Sequence, residues 1–487
     1  MGVRAGLRGI DPWYGNLAIT GITADSRAVQ PGYLFAALPG NRASGADFIA
    51  EAVSRGAAAV LAPTGTSWPP GVPPRPLIVT AAPRRALARM AADHAGRQPE
   101  KIVAVTGTNG KTSTVDFLRQ LWSLAGHRAA SLGTLGLIAP DLQGWGSQGG
   151  AGLTTPDPVA LADMLAGLAR EGVHHAALEA SSHGLDQCRL DGVRFTAAGF
   201  SNLTRDHLDY HGDLQAYARA KLRLFEELLP ARAIAVVNAD MDADILAALR
   251  EIAARRGLDL RSVGEGGRSL RLIAAKPLPH GQTLLIETEG RRRGIEIALP
   301  GRFQADNALM AAALAEATGA ARALDLLAEL RGVRGRMELA ATLPNGAAAY
   351  VDYAHTPDAL RRVLTALRPH AQGHRLVCVF GAGGDRDPGK RPLMGQEVAK
   401  HADLAIVTDD NPRTEPAADI RRAVMAACPG ALEIGNREAA IAAGLDALRP
   451  GDVLVVAGKG HEQGQTIGTT VHPFDDAAVI RRLAGAV

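Results

Sequence analysis

The sequence predicts an α/β protein of three domains. They are a small N-terminal α/β domain over residues 1–98, a central doubly wound parallel sheet of the phosphate-loop type over 99–332, and a C-terminal Rossmann-like α/β domain over 333–487. Three observations predict it. A chain of 487 residues suits about three domains of ordinary size. Short apolar, β-branched runs alternate with helical patterns along most of its length. Those runs end repeatedly in polar clusters, as strands do where a doubly wound sheet holds its ligands.

Composition narrows the function classes. Lys plus Arg number 53 against 50 Asp plus Glu, a net charge of +3, which argues against a dedicated nucleic-acid binder. Cys188, Cys378 and Cys428 are odd in number, widely spaced and form no CxxC, as expected of reduced thiols in a cytoplasmic protein. Met1 to Ile10 carries arginines with no apolar stretch behind it, and no apolar run approaches membrane-spanning length. A cytoplasmic protein with no membrane insertion is expected.

In the first domain, Tyr33 to Leu38 reads as an apolar segment behind a Pro31-Gly32 turn. Ala46 to Ser54 reads as a helix, Ala57 to Leu61 as a strand, and Pro63 to Pro76 as a surface loop. It shows no evident catalytic set, although the loop residues Ser26, Arg27, Asn41 and Arg42 could bind a ligand.

The second domain holds the stretch on which the chain is organised, Lys101 to Ser113 (KIVAVTGTNGKTS). Ile102, Val103 and Val105 predict a buried strand, and a helical pattern runs from Thr112 to Leu124. Between them, Gly107-Thr108-Asn109-Gly110-Lys111-Thr112 lets the backbone turn so that N–H groups face an anion at a helix start. Lys111 suits the outer phosphates and the Thr112 hydroxyl suits Mg²⁺. The glycine of the standard phosphate loop, five residues before Gly110, is Val105 here. The stretch predicts a nucleoside triphosphate site. Further strands, Ala176–Leu178, Ala197–Phe200 and Ile234–Val237, lead into Glu179 to Gly184, Ser201 to His207 and Asn238 to Asp240. Glu179 and His207 are candidate metal ligands beside the phosphates. Lys221 lies on a strongly helical stretch whose periodicity favours a surface position.

The third domain repeats the pattern. Ala348–Val351 precedes Asp352 to Asp358, Leu376–Phe380 precedes Gly381 to Asp387, Leu404–Val407 precedes Thr408 to Arg413, and Val453–Val456 precedes Gly458 to Glu462. Turn chemistry explains the Gly, Asp, Asn and Pro of these loops. It does not explain Arg386, Arg413 and Glu462 gathering at strand ends. Two guanidinium forks with an acid suit a zwitterion.

Taken together, DSR with PGYLF, GTNGKT, LTTPDP, EASSHGLDQCRLDG, NLTRDHLDYHG, YARAKLRLF, GRME, VDYAHTPDAL, GAGGDRDPGKRPLMG, DDNPRTE and GKGHE resemble the Mur ligases of peptidoglycan synthesis over nearly the whole chain. GTNGKT and DYAHTPD mark the wider family. DNPR is associated with the branch that takes meso-diaminopimelate in preference to lysine. The resemblance implies an ATP-dependent amide ligase that adds meso-2,6-diaminopimelate to UDP-N-acetylmuramoyl-L-alanyl-D-glutamate, acting as a monomer. The three domains would then bind UDP-sugar, ATP and amino acid in turn. ATP would be held by Gly107, Thr108, Asn109, Gly110, Lys111, Thr112 and Ser113 with Asn307, Arg336 and Asp352. Ser26 would touch uridine, and Thr154, Thr155, Ser181, Gln187 and Arg189 the muramoyl dipeptide. Arg386, Asp410, Asn411, Pro412, Arg413, Gly458 and Glu462 would bind diaminopimelate. Family members carbamylate the lysine matching Lys221, so this carbamate would join Thr112, Glu179 and His207 around Mg²⁺. Two positions depart from the family. Gln304 stands where an Asn is common, so Asn307 is the implied ATP contact, and Asn41-Arg42 replaces the usual residues near uridine.

The chemistry is consistent. Joining a carboxylate to an amine in water is uphill, so the acid must first become an acyl phosphate. Its attack on the γ-phosphate brings two anions together, which Lys111 and Mg²⁺ would offset. His207 or a nearby carboxylate is a candidate to take the amine's proton. Two other classes share parts of this pattern. A P-loop ATPase or GTPase switch shares GTNGKT but has no use for an arginine–acid pocket. A folylpolyglutamate-synthase-like ligase shares the nucleotide core, but DSR and DNPR argue against it.

Overall fold

The computed structural model describes residues 18–40, 43–140, 142 and 153–485. Asn41 and Arg42 lie outside the described residues. The chain divides into two compact units. One comprises Met1–Val237, Met241–Arg261 and Leu314–Ala321, and the other Asn238–Asp240, Ser262–Ala313 and Arg322–Val487.

The first unit opens with β1 (Gly21–Thr23), β2 (Tyr33–Ala36), β3 (Ala59–Pro63) and β4 (Leu77–Thr80), a parallel sheet in chain order. The helix Pro83–Ala95 covers it, with Leu87 and Met90 packed against Ile22, Leu34 and Leu61. A second sheet follows from β5 (Lys101–Thr106), β6 (Ala129–Gly133), β7 (Gly136–Ile138), β8 (His175–Glu179), β9 (Ala197–Phe200) and β10 (Ile234–Asn238). Its order is β10-β9-β5-β8-β6-β7. Every pairing but β6 with β7 is parallel. β5 lies at the centre, and its apolar β-branched residues are buried on both faces, as a parallel sheet requires. The chain leaves β5 toward β6 and β8 and later returns on its other side to β9. This reversal of winding opens a crevice at the strands' carboxyl ends.

β11 (Asp259–Gly264) begins in the first unit and ends in the second. The second unit then carries an antiparallel meander, β12 (Leu270–Leu278), β13 (Gly281–Thr288) and β14 (Arg291–Ile297), which the sequence did not announce. Its main sheet is built from β15 (Glu338–Thr342), β16 (Ala348–Asp352), β17 (Leu376–Phe380), β18 (Leu404–Val407), β19 (Leu432–Glu433) and β20 (Val453–Ala457), in the order β15-β16-β20-β17-β18-β19. Only β15 runs antiparallel to its neighbour. Alternation along β20 shows why the sheet is covered on both sides. Val453, Val455 and Ala457 enter one apolar layer, and Leu454 and Val456 the other. A hairpin, β21 (Gly464–Ile467) with β22 (Thr470–Pro473), follows. Cys378 and Cys428 are buried free thiols, and Cys188 is partly buried. Among the described residues no helix is long and apolar enough to cross a membrane.

Candidate active site

The phosphate loop joins β5 to the helix Lys111–Leu124, which begins one residue before the expected start. Gly107 and Gly110 have φ values of +142° and +85°, in the region that favours glycine. A Cβ on Gly107 would stand 2.0 Å from Ser201 Oγ, so only glycine permits this close approach. The loop after β9 clamps the turn. Ser201 Oγ donates to Asn109 O at 2.6 Å, Asn202 Oδ1 accepts from Asn109 N at 3.0 Å, and Thr108 N donates to Asn202 O at 2.9 Å. The Tyr217 hydroxyl and the Thr204 amide both donate to Thr108 Oγ1. Ser201, Asn202 and Thr204 belong to the polar cluster after β9 and Tyr217 to the YARAK segment, and the sequence alone assigns none of the four a site role. The result is a pre-formed cradle of backbone N–H groups at a helix start, which fits a polyphosphate.

Two lysines converge on this loop. Lys111 Nζ donates to Gly107 O and Thr108 O, each at 2.9 Å, and Lys221 Nζ donates to Gly107 O at 2.7 Å. Lys221 is 1 % exposed and stands 4.5 Å from the centre of the Tyr217 ring. Burial, and then the nearby Lys111, push its amine well below the usual lysine range. The surface position that helix periodicity favours is therefore overturned. The helix Leu214–Arg223 turns this lysine inward because Asp213 caps it and Tyr217, Ala218 and Ala220 are buried beside it.

Glu179 ends β8, is buried, and accepts from Thr134 N at 2.7 Å and Thr134 Oγ1 at 3.3 Å. Thr134 in turn meets Thr154 Oγ1 at 3.3 Å. His207 has φ +52° and stands edge-on to His183, 4.9 Å between ring centres. Among the described residues no group of three His, Cys, Asp or Glu forms a ready-made metal cage.

A cavity of about 600 Å³ in the same unit is lined by Asp25, Arg84, Asp157, Gln187 and Arg189 among others. Gln187 Oε1 accepts from Arg189 Nη2 at 2.7 Å, and Arg189 Nη1 donates to Thr155 O at 2.7 Å. Ser181 and Thr155 share a hydroxyl contact of 3.0 Å. Ser181 also caps the helix Ser182–Asp186, and Thr155 donates to Glu179 O at 2.8 Å. Ser26 is buried and donates to Glu51 Oε2 at 2.7 Å, so its neighbours Thr23 to Asp25 line the cavity instead.

In the second unit, Asn307 Nδ2 donates to Gln304 Oε1 at 3.0 Å, and Gln304 reaches Arg336 O at 3.4 Å. The unusual glutamine thus orients the asparagine beside it. Asp352 is engaged with backbone, accepting from Met337 N at 2.8 Å and Ala354 N at 2.9 Å. Arg336 lies over the Tyr353 ring at 5.0 Å.

The strand ends of β17, β18 and β20 gather the remaining candidates. A Cβ built on Gly383 would stand 3.0 Å from Arg413 Nη1 and 3.9 Å from Arg386 Cγ, so the two arginines flank that glycine. Arg413 Nη1 donates to Gly384 O at 2.7 Å, from a residue with φ +53°. Asn411 Nδ2 donates to Glu462 Oε2 at 3.0 Å, while the wholly buried Lys459 donates to Asn411 Oδ1 at 2.9 Å and pairs with Glu462 at 3.2 Å. Lys459 was missed because GKG reads as turn chemistry. Gly458 has φ +119°, and a Cβ there would meet Asp410 Oδ2 at 2.3 Å. Pro412 carries the turn between Asn411 and Arg413, and its carbonyl packs against Gly384.

Three family models match: the "Mur ligase family, catalytic domain" over residues 18–99, the "Mur ligase middle domain" over 105–315, and the "Mur ligase, glutamate ligase domain" over 335–460. A UDP-N-acetylmuramoyl-L-alanyl-D-glutamate--2,6-diaminopimelate ligase of Caulobacter vibrioides is 54 % identical, covering 96 % of each chain. One of the same name from Rhizobium meliloti is 50 % identical over 97 % of this chain and 95 % of its own. A solved structure bearing that name superposes with a TM-score of 0.71 at 33 % identity, covering 96 % of this chain and 95 % of the other. The nucleotide cradle and the strand-end arginines therefore sit in a chain that, over nearly its whole length, belongs to the Mur ligase family.

Proposed function

We propose that this chain is a cytoplasmic ATP- and Mg²⁺-dependent ligase that joins meso-2,6-diaminopimelate to UDP-N-acetylmuramoyl-L-alanyl-D-glutamate, releasing ADP and phosphate, in the synthesis of peptidoglycan precursors. The observation that carries the choice of amine is the cradle around Gly383. Arg386 and Arg413 flank it, and Asp410 and Glu462 lie on the adjoining strand ends. Forks for carboxylates beside acids for ammonium groups match a doubly zwitterionic amino acid.

Lys111 follows the phosphates and neutralises charge as the substrate carboxylate attacks the γ-phosphate. The amides of Gly110 to Ser113 at the helix start hold the same oxygens, whereas those of Thr108 and Asn109 already donate to Asn202. Mg²⁺ fits the oxygens at hand, since it takes one or two carboxylates and completes its shell with phosphates and water. Thr112, Glu179, His207 and Lys221 as carbamate would hold it. When bound, the ion offsets the negative charge of the phosphates. The acyl phosphate is then attacked by the neutral amine of diaminopimelate, an amide bond forms, and phosphate leaves. Gln187 and Arg189 bind the muramoyl dipeptide from the cavity wall, with Thr154 and Ser181 beside them.

Carbamylation of Lys221 is favoured by its surroundings. CO₂ reacts with a neutral amine, and a buried lysine next to Lys111 is held toward that form. One proton is released and the product is a carbamate anion near Lys111, which replaces repulsion between two cations by attraction. Lys221→Ala is expected to lose activity by about 10²–10³-fold, and acetate or formate should partly restore it. Uptake of ¹³C-labelled CO₂ by the wild type should grow as pH rises, because the neutral amine then predominates. No rescue by any short carboxylate, together with no labelled adduct, would exclude the carbamate.

Phosphate release with the UDP-muramoyl dipeptide tests the whole reading, comparing diaminopimelate, lysine and no amine. Turnover that needs diaminopimelate supports it. Equal turnover without an amine would indicate a plain ATPase.

A further inference from the structure

Arg437 and Asp476 form an ion pair in which both side chains are 0 % exposed, with Nε and Nη2 each 2.7 Å from a carboxylate oxygen. Nothing in the proposed reaction uses either residue. A buried pair of this kind returns little net stability, because desolvating two charges offsets most of their attraction. Its placement suggests another use. Arg437 begins the helix Arg437–Asp446, and Asp476 begins the helix Asp476–Leu483. Beyond the pair, Arg437 Nη2 donates to Ala457 O at 3.1 Å and Nη1 to Asp409 O at 3.4 Å. One guanidinium thus ties the end of β20 to the loop after β18. The residues that follow these two carbonyls are Gly458 and Asp410.

Asp410 is 7 % exposed, and its backbone carbonyl is held by Gln465 Nε2 at 2.8 Å. An acid so placed needs a cation, and its own loops supply only charges at longer range. We infer that Arg437, balanced by Asp476, is a positioning residue for the amino-acid acceptor: it sets the loops around Asp410 and keeps that carboxylate ready for the substrate's ammonium group. This rests on the function proposed above. The charges facing Asp410 agree with the geometry. Burial raises its carboxyl, Arg437 and then Lys459 draw it back, and Glu462 and Asp476 oppose them. Lys390 and Tyr353 also feel its charge, which raises both.

The sign of the test follows. Arg437→Met removes the largest opposing cation, so Asp410 should take up a proton at higher pH. The acid limb of KM for diaminopimelate should then move toward alkaline pH by roughly one unit. Asp476→Asn removes an anion and leaves Arg437 unbalanced, so the same limb should move toward acid. In both variants KM for diaminopimelate should rise by about tenfold or more, while KM for ATP stays within about twofold. Arg437→Lys, which keeps the charge without the fork, should raise KM with a limb near that of the wild type. If Arg437→Met does not fold, Asp476→Asn and Arg437→Lys carry the test. A purely structural pair would instead lower the melting temperature and weaken all substrates alike. Limbs that stay in place, or that move in the same direction in both charge variants, would overturn the inference. If the wild type itself has no use for diaminopimelate, the proposed function fails first, which is a different result.

Discussion

Lys111→Ala is expected to lower kcat/KM for ligation about a thousand-fold while leaving the melting temperature within a few degrees of the wild type. The asymmetry has a structural origin. Lys111 Nζ contacts the carbonyls of Gly107 and Thr108, whereas the loop itself is held by Ser201, Asn202 and Thr108 through bonds that do not involve the lysine. Removing the side chain leaves that clamp in place. What disappears is a positive charge at the point where two anions must meet, and this charge matters most in the transition state. The drop should therefore appear in kcat more than in the affinity for UDP-muramoyl dipeptide. Initial rates at saturating ATP, with a thermal melt of the same sample, decide the matter. A folded variant with near-normal turnover would remove the phosphate loop from the mechanism.

Arg413 carries the second large effect. Diaminopimelate and lysine differ by one carboxylate on the distal carbon, so discrimination needs a group that answers that charge. A guanidinium left without its carboxylate pays a desolvation penalty, so lysine should be rejected by about a thousand-fold or more in the wild type. Arg413→Ala should cut kcat/KM for diaminopimelate by about a hundred-fold, the worth of a strong charge-assisted contact, and narrow its lead over lysine. Arg413 has φ +53°, a backbone strain that alanine or lysine at this position shares equally with the parent arginine. Arg413→Lys keeps the positive charge and so isolates the lost fork. The measurement is kcat/KM for both amines in all three proteins. A wild type that prefers lysine, or an alanine variant that keeps the full preference for diaminopimelate, would reject the assignment.

Much of the fold is local and was therefore legible. A β-branched run followed at once by a Gly-rich turn and a helical period specifies strand, loop and helix without reference to distant residues, and β5 with its loop follows that reading. The runs Ala348–Val351, Leu376–Phe380, Leu404–Val407 and Val453–Val456 are equally local, and each became a strand, two of them one residue longer than the run. The sequence does not announce the meander β12–β14, because its outer strand β14 is a largely exposed, arginine-rich stretch and β12 mixes buried and exposed positions without an apolar run.

Partnership was the part that sequence could not settle. Lys221 looks like a surface residue on its helix, and it is buried only because that helix brings it to Gly107 O, 114 positions away. Ser26 sits in a recognisable motif, yet its hydroxyl is bound to Glu51 and its neighbours face the cavity. The pairing of Arg437 with Asp476 joins two helix starts that share no pattern. Sequence by itself determined the strands of the two parallel sheets and which of their loops carry charged side chains at strand ends, since periodicity and turn chemistry act over a few residues. Tertiary structure alone decided which of those side chains are buried, which charges face each other and which hydroxyls are already bound, because desolvation and Coulomb forces depend on distances that chain order does not set.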